Sequence, residues 1–333
     1  MTLQQDAGLD VQGLGASHQQ QERIRLASGD LCVSPLGIGT WAWGDRLFWG
    51  YGRGGYTDAD LEAVFQISLS AGINFFDTAE VYGRGRSERL LGRFVRAAAD
   101  DQIVVATKFF PFPWRWRRAA LLRALRGSLE RSGLDRVGLY QIHWPYPPVS
   151  IETWMAGLAD AVEAGLTRAV GVSNYNPSQT RRAHAALAGR GVPLASNQVQ
   201  YSLLHRQPEW SGLLDLCREL GITLIAYSPL AMGTLTGKYT PDNPPPGIRG
   251  RRYRRDYLAL VQPLIGLMRE IGQAHGGKTP TQVALNWVMG KGALPIPGAK
   301  NARQAQEIVG ALGWRLSEVE LAALDKASEG VQA

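Results

Sequence analysis

The chain of 333 residues is 45% hydrophobic, enough to bury one large core, and α/β barrels of this length form a single domain. A formal charge of +7 fits either an anionic ligand or a solvated basic face, and with no recognition-helix or RNA-binding signature beside the arginines, nucleic acid is not an expected partner. Two cysteines, Cys32 and Cys217, form no CxxC pair, and five histidines include no HxH or HxxxH pair, so a reducing compartment is expected and no metal.

Residues 1–22 are polar and glutamine-rich, lack the apolar stretch of a signal peptide, and are expected to form a disordered tail ahead of one domain over 23–333. No segment is apolar for long enough to span a bilayer, so a cytoplasmic protein without a membrane partner is expected. Residues 23–26 and 31–33, on either side of Ser28-Gly29-Asp30, predict a β-hairpin at the bottom of the fold. From there short β-branched runs alternate with amphipathic segments, the pattern of βα units. Strands are predicted at 35–39, 74–79, 103–109, 137–144, 169–173, 195–201, 223–228 and 294–297. Helix starts are signalled by Thr57 with Asp60, by Ser87 with Glu88 and by Asn176-Pro177. Gly72, Gly133, Gly165 and Gly221 close helical patterns.

Eight strands with helices between them predict an α/β fold of the closed (β/α)8 TIM-barrel type; an open doubly wound sheet would more often show six or seven strands and a nucleotide fingerprint after the first. Gly50-Tyr51-Gly52-Arg53-Gly54-Gly55 satisfies GxGxxG, but it follows a Trp-rich loop and not a strand, so it reads as loop flexibility. Two connections, 41–56 and 230–256, are long enough to be candidate lids.

In a β/α barrel the C-terminal strand ends converge on one face, where catalytic groups collect. Here those ends carry Asp77, Lys108, His143, Ser173-Asn174, Asn197-Gln198, Tyr227-Ser228 and Gly298-Ala299-Lys300. A buried Lys–Asp pair alone is explained by structure and a strand His by packing, but titratable groups on three consecutive strand ends form a constellation.

The segments FFDTAEVYG (75–83), VATK (105–108), LYQIHWP (139–145), GVSN (171–174), NQVQYS (197–202), AYSPLAMGTLTGKY (226–239) and IPGAK (296–300) together resemble the aldo-keto reductase superfamily over about residues 23–328. The resemblance implies hydride transfer from NADPH to a carbonyl carbon, with Asp77, Tyr82, Lys108 and His143 as the catalytic group: the oxygen develops negative charge and needs a proton donor, a role that suits Tyr82, while Lys108 would ease its proton away, Asp77 would hold the ammonium, and His143 would orient the substrate oxygen. It also implies that Ser173, Asn174 and Gln198 meet the nicotinamide carboxamide, that Tyr227 stacks on the ring, and that Ser228, Leu230, Gly233 and Lys238 cover the pyrophosphate. Lys300 and Arg303 would meet the 2′-phosphate of NADP(H), with Gly298, Gln304 and Glu307 in the same site. Family members usually carry Glu-Asn near the adenine; here Glu307 is followed by Ile308, which leaves the adenine contacts open.

WAWG (41–44) and LFWGYG (47–52) resemble plant and cyanobacterial members, pyridoxal reductases among them. Trp41, Trp49, Trp114 and Trp144 are expected to line an aromatic substrate pocket, beside Trp43, Tyr51 and Trp116; the alternative is that about half of these rings only pack loops onto the rim. The expected partner is a small carbonyl compound, the expected state a monomer or weak homo-oligomer. The family also contains potassium-channel β subunits, which keep barrel and cofactor but serve a membrane channel. Turnover of simple aldehydes with NADPH separates that alternative from an enzyme.

Overall fold

The structure is a computed structural model that describes residues 22–26, 31–52, 55–246, 250 and 253–332. The tail 1–21, the turn Ser28-Gly29-Asp30, Arg53-Gly54 of the GxGxxG segment and Arg249, Arg251 and Arg252 of the basic loop lie outside the described residues.

β1 (Ile24–Leu26) and β2 (Leu31–Val33) pair antiparallel as the expected hairpin. Eight strands follow in one parallel sheet: β3 (Ile38–Gly39), β4 (Phe75–Asp77), β5 (Val104–Phe109), β6 (Val137–Ile142), β7 (Thr167–Ser173), β8 (Leu194–Gln200), β9 (Thr223–Tyr227) and β10 (Leu294–Ile296). Each pairs with the next, and a parallel bridge between Gly39 and Gly298 closes the last onto the first, so the architecture is a (β/α)8 barrel. The seam is short because the chain on one side starts with Pro35, which has no N–H for a ladder, while Gly37 and Gly39 donate to Pro295 and Pro297 carbonyls, both at 3.0 Å. A Cβ on Gly39 would lie 2.8 Å from the Ile296 carbonyl oxygen, so glycine lets the seam close. β7 starts earlier than residue 169: Arg168 points outward while Thr167 and Ala169 are buried, so the strand alternation continues through a charged residue.

Strand alternation sorts the apolar residues into two cores. Phe76, Val105, Tyr140, Ile142, Val172 and Leu224 face the surrounding helices. Phe75, Val104, Ala106, Leu139, Ile225 and Leu294 face the barrel axis, where Leu26, Leu31 and Val33 of the hairpin pack against them and plug the N-terminal end. The opposite end is left for polar groups.

Thr57 with Asp60 and Asn176 with Gln179 form reciprocal capping boxes for helices Asp58–Ser70 and Pro177–Ala188. Ser87 is not a cap. Its helix, Arg86–Ala98, begins one residue earlier, and Ser87 turns inward to donate to the Thr40 carbonyl at 3.0 Å. The 230–256 connection carries 3-10 turns over Ala231–Thr236, and a helix, Arg255–Ala274, begins at its end. Among the described residues, no helix is long and apolar enough to cross a membrane.

Candidate active site

Two residues beyond the inward apolar layer, the same strand faces carry Asp77, Lys108 and Gln141. Lys108 and Gln141 are register partners on β5 and β6, Gln141 pairs with Gly171, and Gly171 with Ser196, so one polar layer runs round the barrel interior. A Cβ on Gly171 would lie 2.2 Å from Ser196 Oγ and 3.2 Å from Gln141 Cγ; the missing side chain is what lets this layer fit.

Lys108 is fully buried and its Nζ is ion-paired to Asp77 Oδ1, donates to the Thr78 carbonyl at 2.8 Å and lies 3.4 Å from the Tyr82 hydroxyl. Asp77 Oδ2 accepts from Gln198 Nε2 at 2.9 Å and Gln141 Nε2 at 3.2 Å. Burial works to lower the Lys108 pKa, but the Asp77 carboxylate and Tyr82 together outweigh it, and the ammonium is held above its ordinary value. Burial raises the Tyr82 phenol; Lys108 pulls the other way and Asp77 adds to the rise, so the phenol keeps its proton in the free protein. In the free protein the lowering effect of Lys108 on the phenol is outweighed by burial.

His143 completes the group, edge-on to Tyr82 with ring centroids 5.8 Å apart. Burial first, and then the Lys108 charge, lower its pKa to about 3, so the imidazole is neutral at ordinary pH. Its Nδ1 is buried without a hydrogen-bond partner, which leaves Nε2 as the nitrogen open to the cavity. A proton on Nε2 avoids a buried unsatisfied donor and makes His143 a hydrogen-bond donor there.

Asp77, Tyr82 and His143 stand on the wall of a cavity of about 640 Å³, which reaches from them to Arg303, Gln304 and Glu307 on the helix Ala302–Val309. The other expected cofactor residues line it as well: Ser173, Asn174, Gln198, Tyr227, Ser228, Leu230, Gly233, Lys238, Gly298 and Lys300. Asn174 already makes several bonds inside the protein. Its Nδ2 donates to the His143 carbonyl and to Ser173 Oγ, both at 3.0 Å, and its Oδ1 accepts from the Tyr227 hydroxyl at 3.0 Å. Asn174 (φ 65), Ser228 (φ 51) and Met232 (φ 54) are left-handed non-glycine residues on the cavity wall. Such backbone costs about 1–3 kcal/mol per residue and gathers at ligand clamps. The Lys300 ammonium lies over the Trp49 and Tyr56 rings, 5.4 and 5.3 Å from their centroids, so it bridges the chain after β10 to the 41–56 loop.

The tryptophans divide. Trp41, Trp49 and Trp144 line the cavity. Trp114 does not: it is 72% exposed and stacks on Phe112 with centroids 4.7 Å apart. Trp43 is buried with Nε1 donating to the Ala299 carbonyl, and Tyr51 is buried against Tyr56, so both pack the loop. Arg115 is held by Glu80 through both carboxylate oxygens. Gln141 was missed by the motif reading, although its position two residues before His143 places it on the same inward face. Gln200 and Thr281, also on the cavity wall, carried no sequence signal.

Residues 35–329 match the model of the Aldo/keto reductase family. The chain is 44% identical over 317 residues to the chloroplastic pyridoxal reductase of Arabidopsis thaliana, covering 92% of this chain and 86% of that protein. It is 40% identical to an uncharacterized oxidoreductase of Mycobacterium tuberculosis, with 89% of this chain and 90% of that one covered. The glycerol dehydrogenase of Gluconobacter oxydans superimposes with a TM-score of 0.80 at 28% identity, covering 94% of this chain and 96% of that structure.

Proposed function

Because this chain belongs to the aldo/keto reductase family, we propose that it reduces the carbonyl of an aldehyde or ketone to the alcohol with NADPH, with Tyr82 as general acid. The observation that carries this reading is the Tyr82 hydroxyl on the cavity wall, 3.4 Å from an ammonium that Asp77 holds charged.

The cavity fits the cofactor by three independent features. At about 640 Å³ it exceeds what a small carbonyl compound needs, Lys238, Lys300 and Arg303 give its wall positive charge, and strained backbone at Ser228 and Met232 lines it. Ser173, Asn174, Gln198 and Tyr227 would hold the nicotinamide end, Ser228, Leu230, Gly233 and Lys238 the pyrophosphate, and Lys300 with Arg303 the 2′-phosphate. When bound, the reduced nicotinamide supplies the hydride.

The chain's own groups handle the oxygen. Tyr82 donates its proton to the carbonyl oxygen as charge develops there, and Lys108 stabilises the phenolate that remains. Asp77 keeps Lys108 in place, and Gln141 and Gln198 keep Asp77 in place, so the cation stays fixed on the tyrosine through the reaction. Neutral His143 donates a hydrogen bond from Nε2 to the same oxygen and sets its approach. Trp41, Trp49 and Trp144 give the substrate end apolar walls that suit a flat ring. An aromatic aldehyde such as pyridoxal, the compound named in the Arabidopsis relative, fits those walls. A panel of aldehydes including pyridoxal, followed by NADPH consumption and repeated with NADH, tests the reading. Turnover with a preference for NADPH supports it; tight NADPH binding with no turnover of any aldehyde refutes it.

A further inference from the structure

Two loops at the open end of the barrel hold large apolar side chains in water. The chain after β5 carries Trp114 and Trp116, 72% and 68% exposed, and the 41–56 loop carries Leu47, 84% exposed. Trp114 stacks on Phe112, the outer end of a run of rings that passes through Phe110 and Tyr146 to Trp144 in the cavity wall, with successive centroids 4.6, 6.0 and 5.5 Å apart. Trp116 Nε1 donates to the Pro113 carbonyl, so its polar atom is satisfied within its own loop. A single exposed apolar side chain needs no explanation, but a set of them around one opening marks an interaction site.

Cations accompany these side chains. Arg46 precedes Leu47 and Arg117 follows Trp116; both are exposed and paired with no carboxylate among the described residues. From Phe110 to Leu129 the chain holds five arginines and no Asp or Glu. Of the five, Arg115 is held by Glu80 and Arg118 lies 3.5 Å from Asp160, while Arg117, Arg123 and Arg126 stand in solvent.

Charge and shape choose the occupant. A second copy on this rim would set arginine against arginine, with no acidic group in the segment to answer it. A protein partner needs a surface of matching shape, and here the apolar groups are tips on two separate loops. A fluid bilayer needs no matching shape. Tryptophan settles at the headgroup level, leucine enters the acyl boundary and arginine is drawn to anionic lipid.

We propose that this rim docks on an anionic bilayer, with Trp114, Trp116 and Leu47 entering the headgroup layer and Arg46 and Arg117 meeting the lipid phosphates, so that the mouth of the cavity faces lipid. The expectation of no membrane partner rested on the lack of a spanning segment, which has no bearing on contact at the surface. The proposal is independent of the cofactor reading.

The test is co-sedimentation of the full chain with vesicles of phosphatidylcholine alone and of phosphatidylcholine mixed equally with phosphatidylglycerol. Wild type should pellet with the mixed vesicles far more than with the neutral ones, and added salt should weaken that binding. Replacing both tryptophans, Trp114→Ser with Trp116→Ser, should weaken it at least about tenfold. Arg46→Gln and Arg117→Gln should each weaken it about fivefold, the effect of one cation close to an anionic surface. Arg168→Gln removes the same charge at the opposite end of the barrel, where β7 begins, and should stay within about twofold of wild type. Wild type that ignores mixed vesicles, or binds both compositions equally, overturns the proposal, and so does unchanged binding in the double tryptophan variant. An equal loss in Arg168→Gln and Arg117→Gln also overturns it, because attraction by overall charge would then replace docking by this rim. Self-association without vesicles that the double tryptophan variant abolishes, read by sedimentation equilibrium, would give the rim to a second copy and overturn it as well.

Discussion

Replacing Lys108 by Met separates the two jobs of the buried ion pair. The Lys108 side chain is 0% exposed and Asp77 is 2% exposed, so the substitution strands a carboxylate with no cation. Breaking a buried pair from one side costs about 3–5 kcal/mol. Here the Gln198 and Gln141 amides still donate to Asp77 Oδ2, at 2.9 and 3.2 Å, so the expected loss lies near the lower figure, about 3 kcal/mol. Adding Asp77→Asn removes the stranded charge while its carbonyl can keep accepting from both amides, and should restore about 2 kcal/mol. Activity should behave differently. Lys108 opposes the effect of burial on the Tyr82 phenol, so kcat should fall at least about 100-fold in the single variant and stay down in the double one. Denaturant midpoints by circular dichroism and aldehyde-dependent NADPH consumption, measured on the same preparations, give both readouts. A Lys108→Met protein as stable as wild type, or a double variant no more stable than the single, would refute the claim that Asp77 is left as an uncompensated charge.

Tyr82→Phe should lower kcat by more than about 100-fold while the NADPH dissociation constant stays within twofold, because the phenol acts on the substrate oxygen; wild-type kcat in this variant would remove Tyr82 from the mechanism. Gln141→Leu should cut kcat about tenfold at unchanged KM and keep its cofactor affinity, since the amide steadies Asp77 without reaching the cavity; a change in KM alone would contradict a positioning role. His143 supplies a pH dependence. The unfolded chain binds a proton near pH 6.5 and the folded protein only at about 3, so between those values the unfolded state holds more protons and stability falls as pH falls. The slope from this residue is at most about 1.4 kcal/mol per pH unit, and lower in practice because the ring is partly open to the cavity. Urea midpoints compared between pH 7 and 5 should drop less in His143→Gln than in wild type, and parallel profiles would show that His143 does not carry the effect.

The barrel and the clustering of Asp77, Tyr82, Lys108 and His143 were legible because both rest on short-range rules. Alternation of apolar residues marked seven of the eight strands closely, and polar residues at their C-terminal ends marked the open mouth. The first strand shrank to Ile38–Gly39 because ladder pairing depends on a partner 258 residues or more away in sequence, at Pro295, Pro297 and Gly298, which local pattern does not report. The placement of Trp114 outside the cavity, of Lys300 over Trp49 and Tyr56, and of Arg115 on Glu80 depends on long side chains from separate loops choosing among several neighbours. Strand parity says nothing about that choice.

Gln141 is a different kind of omission. The parity that marks Asp77 and Lys108 as inward marks it too, and Gly171 and Ser196, its neighbours across the sheet, are small polar-layer residues that make room for it. A buried amide on an inward strand position needs partners, and in a barrel the candidates are the residues at the same height on adjacent strands. Lys108, its register partner on β5, has no acceptor to offer, and the Asp77 carboxylate, one strand further on and level with Ala106, accepts from Gln141 Nε2 at 3.2 Å. The support of Asp77 is therefore a consequence of inward parity and hydrogen-bond capacity, and Gln198, the register partner of Ser173 on β8, donates its amide to the same oxygen at 2.9 Å.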